Sequence, residues 1–558
     1  MVWASGPLGG TTVPGSGTFS VVTKGSLTEG ATSSQANGYF GAYLKRSGFD
    51  AIVIDGVSEN WVYIYIHDGI AELRNADHLL GKDTWETEDA IKAEIAQPER
   101  GASVFSIGPA GENLVRFAAI VGDRGHVVAH NGVGAVMGSK KLKAIVTARG
   151  KRAVALKNKE LVSKLNKEII QNAKPIPPGI YEWGTSMLYN LMMAGSQLPI
   201  KDLTTGVFPD YVRFTGQDYR PRLEMKWSPC WACQARHCHI VKVLEGPYAG
   251  YIGEEPEYEA LAAWGSLIGQ ADVGAAIMLS NEADRLGMDS NEGGWLTAML
   301  MECYEKGIID ENYTEGLDLT WGNAEAVKTL LHKIAHRQGF GNTLAEGVMR
   351  AAQAIGGEAP NIGVYVKKGH SPRGHDHRVS WTQLFDTATS SVGTIETGNI
   401  IVVDRLSAPP KFTPNSHITC LLKEEAEYNS AKAELDNGDI AGAKAGFEQL
   451  VTDSFAAVTD KSSNDPYSFW GQKALFTLLD LAKGQRDYNY ADEIRVRLLS
   501  TTLTDVERFV LLNERLKYLE TTSNEDELQA VSAELQTVRS KLEYFANWSK
   551  WVKSWSEW

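Results

Sequence analysis

The sequence predicts an α+β protein with a β-rich N-terminal region, a helical middle region and a separate all-helical C-terminal segment. Residues 1–150 carry short β-branched runs, residues 151–402 carry apolar residues at helical spacing, and residues 403–558 change to long Ala-, Glu-, Lys- and Leu-rich helical patterns. The chain has 558 residues, 22% charged and 43% hydrophobic. It can therefore bury several cores, and we expect about three domains.

The first region consists of short strand-like runs separated by Gly, Ser and Asn turns. The runs are FSVVTKG, AIVIDGV, WVYIYIHD and KAIVTARG. A Gly-rich strand and turn pattern is already present at the first residues, so we expect that the chain lacks its natural beginning.

In the middle region the apolar residues recur at helical spacing. The helical segments are LKNKELVSKLNKEIIQNA, EYEALAAWGSLIG, DVGAAIMLSNEADRLG, WLTAMLMECYEKGI and AEAVKTLLHKIAHRQG. The first should end at PIPP, residues 175–178, because proline does not continue a helix.

The C-terminal segment follows a Pro/Ser-rich linker, SAPPKFTPNS at 407–416. Residues 428–451 read as two helices joined by a turn at NGD, a spacing that resembles one tetratricopeptide-type hairpin. Two amphipathic helices are predicted over 505–549, ending in the aromatic cluster WSKWVKSWSEW. We interpret this end as packed or partner-binding, through a protein partner or a second copy, rather than as a membrane anchor.

The formal net charge of −14 disfavours binding to nucleic acid, because phosphates need a basic face and the longest basic block is GSKKLK at 138–143. The N-terminus has no basic segment followed by a long apolar run, and no apolar stretch approaches about 18 residues. The prediction is a soluble, cytoplasmic protein with no membrane or nucleic-acid partner.

Three of the five cysteines lie close together, in SPCWACQARHCHI at 228–240. Their number and sparse distribution disfavour a secreted disulfide framework. Cys230, Cys233 and Cys238 follow the pattern C-x2-C-x4-C, which can present thiolates to one metal centre. A 4Fe–4S cluster, a zinc site and simple packing all stay open on spacing alone, whereas Cys303, within a helical run, should be a buried apolar residue.

Two other segments are rich in ionisable groups. GEEPEYEA at 253–260 precedes an apolar helix, and we interpret Glu254, Glu255 and Glu257 as charges favoured by the helix dipole. KKGHSPRGHDHRVSW at 367–381 holds three histidines, which suit either a surface loop or a catalytic one.

Four motifs in order carry a family resemblance: WSPCWACQARHCH, GEEPEYEALAAWGS, NEADRLGMDS and MLMECYEKGII. Together they resemble the tungsten-containing aldehyde ferredoxin oxidoreductase family. The N-terminal segments SGPLGGTTVPGSGTFSVVTKGSLTEG, NGYFGAYLKRSGFDAIVIDG and NGVGAVMGSKKLKAIV resemble its β-rich, pterin-binding N-terminal domain. The resemblance runs from residue 1 to about 400.

This resemblance implies a tungsten or molybdenum ion held by two pterins, beside a 4Fe–4S cluster that passes electrons to ferredoxin. Cys230, Cys233 and Cys238 would be three cluster ligands, although the family spacing is C-x2-C-x3-C. The family's fourth cysteine lies in a second D-x-x-G-L-C motif that is absent here, and Cys420 in NSHITCLL is the substitute we assign.

The resemblance also implies the residues that bind the pterins. Asp284 matches the aspartate that hydrogen-bonds a pterin ring, and Gly287 would permit close backbone approach. The alternative for Gly287 is a helix C-cap. The remaining predicted cofactor-binding residues are Asn37, Asn131, Gly132 and Arg373. Two family arginines near the phosphates are replaced, by Thr18 and His130.

Glu259 matches the family glutamate near the metal, and burial should raise its pKa so that it can transfer protons. A catalytic histidine that many members carry is missing from TSSVGTIETG at 389–398. Either His370, His375 or His377 has taken that role, or the substrate is not a simple aldehyde.

The resulting prediction is a tungsten or molybdenum bis-pterin oxidoreductase that oxidises an aldehyde to a carboxylic acid, with ferredoxin or another iron–sulfur carrier as partner. The alternatives are a non-catalytic family-like core fused to a helical scaffold and a zinc-stabilised structural protein.

Overall fold

The computed structural model describes residues 1–173, 182–234, 238–379, 387–388, 427–457, 469–500, 505–522 and 525–552. The chain divides into two compact units, one formed mainly by Met1–Gly398 and the other by Asn399–Trp548. The linker at 407–416, PIPP, TSSVGTIETG and Cys420 lie outside the described residues.

The N-terminal part of the first unit contains two sheets. Their strands are β1 (Val2–Ser5), β2 (Phe19–Lys24), β3 (Ala31–Ala36), β4 (Ala51–Val53), β5 (Val62–His67), β6 (Ile70–Asn75), β7 (Ala102–Ser106), β8 (Ile120–Gly122), β9 (His126–Val128) and β10 (Leu142–Ala148). One sheet has the order β3-β2-β1-β4 and the other β6-β5-β10-β7-β8-β9. All neighbours are antiparallel except β5 and β10. The four predicted strand runs are confirmed as β2, β4, β5 and β10.

The two sheets share an aromatic core. Trp3 alternates inward on β1 and stacks on Phe19 of β2, with ring centroids 5.4 Å apart. Phe40 and Phe105 close the cluster, each fully buried. This burial explains why the alternating apolar residues of these short runs form strands.

Helices dominate the rest of the first unit. The helices of the first unit are Phe40–Arg46, Thr84–Glu94, Pro109–Glu112, Val133–Ser139, Lys159–Ala173, Leu188–Ala194, Gly216–Tyr219, Tyr258–Trp264, Val273–Leu286, Ser290–Glu305, Ala324–Ala335, Gly341–Leu344, Val348–Ile355 and Ala359–Ile362. Each of the five helical segments predicted for the middle region overlaps one of these helices, and the helix Ser290–Glu305 begins five residues before the predicted WLTAMLMECYEKGI. Cys303 is fully buried in its helix, as predicted.

The middle region also contains a sheet that the sequence analysis missed. β11 (Leu223–Trp227), β12 (His239–Val243) and β13 (Ile252–Glu254) form an antiparallel sheet in that order. The alternation in HIVKV buries His239, Val241 and Val243 on one face. The prediction of a helical middle region thus omitted this sheet between 223 and 254, where the cysteine motif connects the two strands of a β-hairpin.

The second unit is helical in its described residues. Helical residues 427–436 and the turn at 437–439 precede a further helix. The further helices are Ile440–Ala457, Phe469–Gly484, Tyr488–Leu499, Asp505–Leu519 and Glu525–Val552. The tetratricopeptide-like identity of this unit stays a prediction.

No single helix within the described ranges has the length and apolar composition of a membrane span. One bent pair, Tyr258–Ile268 with Val273–Leu286, meets those two criteria together.

Candidate active site

The cysteine loop is the connection of a β-hairpin. Trp227 of β11 pairs with His239 of β12, and the Ser228 N–H donates to the Cys238 carbonyl at 2.9 Å. The Cys233 N–H donates to the Cys230 carbonyl at 3.3 Å, which closes a turn between these two thiols. Because the hairpin returns on itself, residues far apart in the motif are held at one end of the sheet. Residues 235–237, including His237, lie outside the described residues.

The N-terminal domain anchors this loop. The Trp231 backbone N–H donates to the Gly38 carbonyl at 3.1 Å, and the Trp231 indole donates to the Thr11 carbonyl at 2.7 Å. The Tyr39 hydroxyl donates to the Pro229 carbonyl at 2.7 Å. Asn37, a predicted cofactor-binding residue, accepts a hydrogen bond from the Thr18 hydroxyl. It is next in sequence to Gly38, which contacts the cysteine loop.

The loop's environment favours a thiolate, the form in which cysteine binds metals. A hydrogen bond from Cys238 lowers the pKa of Cys230 to about 3 against the opposing effect of burial, and His126, 3.7 Å from the Cys230 sulfur, adds to the lowering. The same hydrogen bond raises the pKa of Cys238. The four described cysteines form no disulfide. A soft sulfur donor set of this kind fits zinc or an iron–sulfur cluster, and the assignment of Cys420 as fourth ligand stays a prediction.

A buried ion network begins at His239, the residue that follows Cys238 in the sequence. Glu255 accepts hydrogen bonds from the Tyr219 hydroxyl at 2.7 Å and from two nitrogens of Arg220 at 2.6 and 3.0 Å. His239 Nδ1 lies 2.8 Å from Glu255 Oε2, the oxygen that Arg220 Nη2 also contacts. Burial raises the pKa of Glu255, but His239, Arg220 and Tyr219 together lower it below its ordinary value. The interpretation of Glu255 as a charge favoured by the helix dipole was wrong, because Glu255 is buried and its N–H pairs with the His239 carbonyl at 2.9 Å.

We expect Glu255→Gln to destabilise the first unit by about 3–5 kcal/mol, because Arg220 would keep a buried charge without its carboxylate. A lowered carboxyl pKa stabilises the fold fully above the unfolded pKa of about 4.3, and this contribution is lost as pH falls further. The difference from wild type should therefore shrink in acid. Chemical denaturation against pH measures it. The exposed Glu224→Gln, on the same sheet, should stay within about 0.5 kcal/mol of wild type, and an equal effect of both variants would contradict the assignment.

Asp284 lies in the last turn of helix Val273–Leu286, and Gly287 ends that helix with a left-handed φ of 75°. The C-cap alternative for Gly287 is thus confirmed. It also has a close approach, since an added Cβ would lie 2.7 Å from the Gly108 nitrogen. Burial raises the pKa of Asp284 to about 8, with Asp289 adding to the rise. No hydrogen bond to its carboxyl is formed within the described residues, so its oxygens can still accept hydrogen bonds from N–H donors.

The Gly-rich motif of the first domain forms a tight backbone crossing. Asn131, with φ 62°, donates its side-chain amide to Thr28 at 2.7 Å and accepts from the Thr28 N–H at 3.0 Å. Gly132 follows with φ 67°, and helix Val133–Ser139 begins directly after it. The Asn131 side chain is thus held by Thr28, while Gly132 brings the chain close to Arg116. The cofactor-binding role of both residues stays a prediction.

Gly132→Ala should destabilise the protein by roughly 2–5 kcal/mol, because alanine is strained at this φ and overpacks its surroundings. The added Cβ would lie 1.8 Å from the Arg116 carbonyl oxygen. Gly307 provides the control, since it has the same φ of 67° and nothing within 4 Å. Gly307→Ala should cost only about 1–2 kcal/mol. Equal free energies of unfolding for the two variants would show that the close approach does not matter.

Glu259, Arg373 and His375 form one group. Arg373 Nη2 lies 2.9 Å and His375 Nε2 lies 3.8 Å from the same Glu259 oxygen. The His375 ring stacks on Tyr258, with centroids 5.2 Å apart, and His377 lies edge-on to it at 6.1 Å. The helix Tyr258–Trp264 carries Glu259 in its first turn. The Tyr258 hydroxyl donates to the Gly374 carbonyl at 3.0 Å, which fixes the backbone between Arg373 and His375.

The expectation of a raised pKa for Glu259 was wrong. Burial does raise it, but Arg373, followed by His375 and His130, outweighs burial and lowers the pKa to about 2. Glu259 is therefore ionised at neutral pH. The sequence showed a carboxylate and an arginine 114 positions apart, and only the fold brings them into contact.

His370 lies apart from that group. It is fully buried beside Asp289 and Glu292, and its ring centroid is 6.0 Å from that of His130. Sequence reasoning missed His126 as the neighbour of Cys230 and Asp289 as the neighbour of His370. Asp289 stands in the quoted NEADRLGMDS motif, whereas His126 carries no spacing signal.

Comparisons with known proteins agree with this architecture. The model of the aldehyde ferredoxin oxidoreductase N-terminal domain matches residues 1–149, and the model of domains 2 and 3 matches residues 160–456. The second match extends beyond residue 400, where the resemblance was expected to stop.

Curated relatives include the tungsten-containing aldehyde ferredoxin oxidoreductases of Pyrococcus furiosus and Thermococcus kodakarensis. Each is 38% identical over 74% of this chain and 68% of its own length. The aliphatic sulfonate oxidoreductase WOR-like subunit of P. furiosus is 31% identical over 63% of this chain and 57% of its own length. Among solved structures, the active site complex BamBC of benzoyl coenzyme A reductase shares the fold, with a TM-score of 0.63 at 21% identity over 96% of this chain and 89% of its own. The chain belongs to the aldehyde ferredoxin oxidoreductase family.

Proposed function

We propose that this protein is a tungsten-pterin oxidoreductase that oxidises an aldehyde to a carboxylic acid and passes the electrons through a 4Fe–4S cluster to ferredoxin. The tungsten and the aldehyde come from the named relatives. The alternative of a non-catalytic core is not favoured, because both family models match.

The observation that carries the proposal is that charged groups between the cysteine loop and Glu259 influence one another's pKa values. His126 influences the pKa of both Cys230 and Asp284. Asp289 also influences Asp284, and its neighbour His130 influences Glu259. This mutual influence supports assigning the three thiols to the cluster, Asp284 to a pterin and Glu259 to the substrate within one site. Molybdenum would bind the same two pterins, and elemental analysis of the purified protein distinguishes it from tungsten.

The chain's own residues account for binding and proton handling. The three thiols would hold the cluster, and Asp284 would accept hydrogen bonds from a pterin N–H edge. When bound, the tungsten-pterin group supplies the acceptor for two electrons. An aldehyde and water yield a carboxylate, three protons and these two electrons, which leave one at a time.

The proton steps fall to Glu259 and His375. Arg373 keeps Glu259 as a carboxylate, which can accept a hydrogen bond from water or from the hydrated aldehyde and so orient it. His375, 3.8 Å from that carboxylate, is placed to take up a proton and pass it on to solvent. Among the three candidate histidines, we assign the proton transfer to His375, because it forms an ion-pair contact with Glu259.

The test is aldehyde-dependent reduction of ferredoxin by protein produced anaerobically with tungstate. Two ferredoxins should be reduced for each carboxylate formed. Tungsten- and iron-loaded protein that reduces no carrier with any of several aldehydes would contradict the proposal. We further assign the protein to the cytoplasm. We also assign the C-terminal helices to contact with a protein partner or a second copy, and measuring the mass of the protein in solution tests whether two copies associate.

A further inference from the structure

We propose that a group of arginines beside the cysteine loop is the docking surface for an acidic iron–sulfur electron carrier such as ferredoxin. We name these residues, Arg46, Arg100, Arg149 and Arg152, the arginine surface. The inference rests on the proposed function for the class of partner, and it adds the place on this chain where that partner binds.

Two of these arginines lie against aromatic rings that belong to the cysteine loop or hold it in place. The Arg46 guanidinium lies 5.7 Å from the ring centroid of Trp231 in the loop. The Arg100 guanidinium lies 5.8 Å from the ring centroid of Tyr39, whose hydroxyl holds the loop at Pro229. Both distances allow cation–π contacts, so the charges and the loop are joined by one layer of aromatic side chains.

The backbone places all four arginines next to one another. The Arg46 side chain donates through Nε to the Gly150 carbonyl at 2.9 Å, and the Arg152 N–H donates to the Arg46 carbonyl at 3.2 Å. The Arg149 N–H donates at 2.8 Å to the carbonyl of the residue that follows Arg100. Three separate stretches of the chain thus bring their arginines to one surface.

The charges of the arginine surface are available to a partner. Three of the four side chains are exposed, and Arg46 is half-buried. No carboxylate among the described residues forms an ion pair with any of them. Asp50, four residues after Arg46, pairs with Lys45 instead, and Glu99 is the exposed carboxylate that precedes Arg100 in sequence. The surface therefore keeps an excess of positive charge.

This excess stands out because the whole chain carries a formal net charge of −14. Burial raises the pKa of Tyr39, and Arg100 and Arg149 both act against that rise, so their positive charges extend to the aromatic layer beside the loop. A positive area on an otherwise acidic protein steers an acidic partner to one position. Arginine and aromatic side chains are also enriched where proteins bind one another. The partner that fits is an acidic protein docked over Trp231.

The competing occupant is an acidic face of a second copy of this chain, which the same arginines would attract. It predicts that the chain associates with itself at low salt and that this association is lost when the arginines are neutralised. Docking of a carrier predicts binding to the carrier without such self-association through this surface.

Binding between the anaerobically purified full chain and a purified, acidic 4Fe–4S ferredoxin, measured by surface plasmon resonance without oxygen, tests the inference. Wild type should bind, and its affinity should fall as salt is added, because exposed charges are screened. The double variant Arg100→Gln/Arg149→Gln should bind about ten-fold more weakly.

Two controls separate charge from other effects of these substitutions. Arg100→Lys/Arg149→Lys keeps both charges and should bind within about three-fold of wild type. Lys24→Gln removes an exposed cation at the C-terminal end of strand β2 and should bind as wild type does. Iron content should be the same in all of these proteins, since Arg100, Arg149 and Lys24 are exposed.

Four results would each overturn the inference. They are absence of binding by wild type at low salt, binding that salt does not weaken, equal affinity of wild type and Arg100→Gln/Arg149→Gln, and self-association of the chain that this double variant abolishes. Since binding of oxidised ferredoxin requires no turnover, failure of the proposed aldehyde oxidation would leave the result independent.

Discussion

Glu259→Gln is expected to lower aldehyde turnover by about 100- to 10,000-fold, the usual loss when a positioned acid–base group is removed. Glutamine cannot carry the charge that Arg373 and His375 face. Because the pKa of Glu259 is about 2, the wild-type carboxylate stays ionised near neutral pH and contributes no acid limb there. Steady-state kinetics under anaerobic conditions measure the loss.

The tungsten, pterin and iron contents of the Glu259→Gln protein should match those of wild type, since Glu259 is assigned to proton handling rather than to holding a cofactor. Glu305→Gln is the control, an exposed glutamate of helix Ser290–Glu305, and it should keep full turnover. Unchanged activity of Glu259→Gln with several aldehydes would remove Glu259 from the mechanism.

If the proposed 4Fe–4S cluster binds at the cysteine loop, Cys230→Ser should abolish it, and with it the proposed reduction of ferredoxin. Wild-type protein purified anaerobically should be brown and contain about four iron atoms per chain. Serine lacks the thiolate that Cys238 and His126 stabilise at this position, so the variant should lose most of its iron and its visible absorbance.

Cys303→Ala is the matched control for that experiment. Cys303 is fully buried in a helix and packs in the apolar core, so its removal should leave the iron content unchanged. Equal iron loss in both variants would point to general instability, and full iron retention in Cys230→Ser would exclude Cys230 as a ligand.

Much of the fold could be predicted because its elements follow local patterns. The runs that became β2, β5 and β10 alternate or are β-branched, and the helix Val273–Leu286 has both its apolar spacing and its C-terminal glycine. The β11–β13 sheet could not be predicted in this way, because its strands have only three to five residues and enclose the cysteine motif.

The sequence suggested residues for the candidate site but not the pKa values that their contacts produce. The resemblance named Glu259 and Arg373, but the pKa of Glu259 depends on their contact across 114 positions of sequence. Glu255 shows the same limit. Its partner Arg220 is 35 residues away in sequence, and their contact makes Glu255 part of a buried ion pair rather than a charge favoured by the helix dipole. The pKa values of both glutamates depend on charges that are distant in sequence, so no local spacing of residues predicts them.

The most direct test of the account is the cofactor content of the full chain purified anaerobically from cells supplied with tungstate and molybdate. We expect tungsten or molybdenum at one atom for two pterins, together with iron in a 4Fe–4S cluster detected by electron paramagnetic resonance after reduction. Colourless protein that contains zinc and neither pterin nor tungsten nor molybdenum would contradict it.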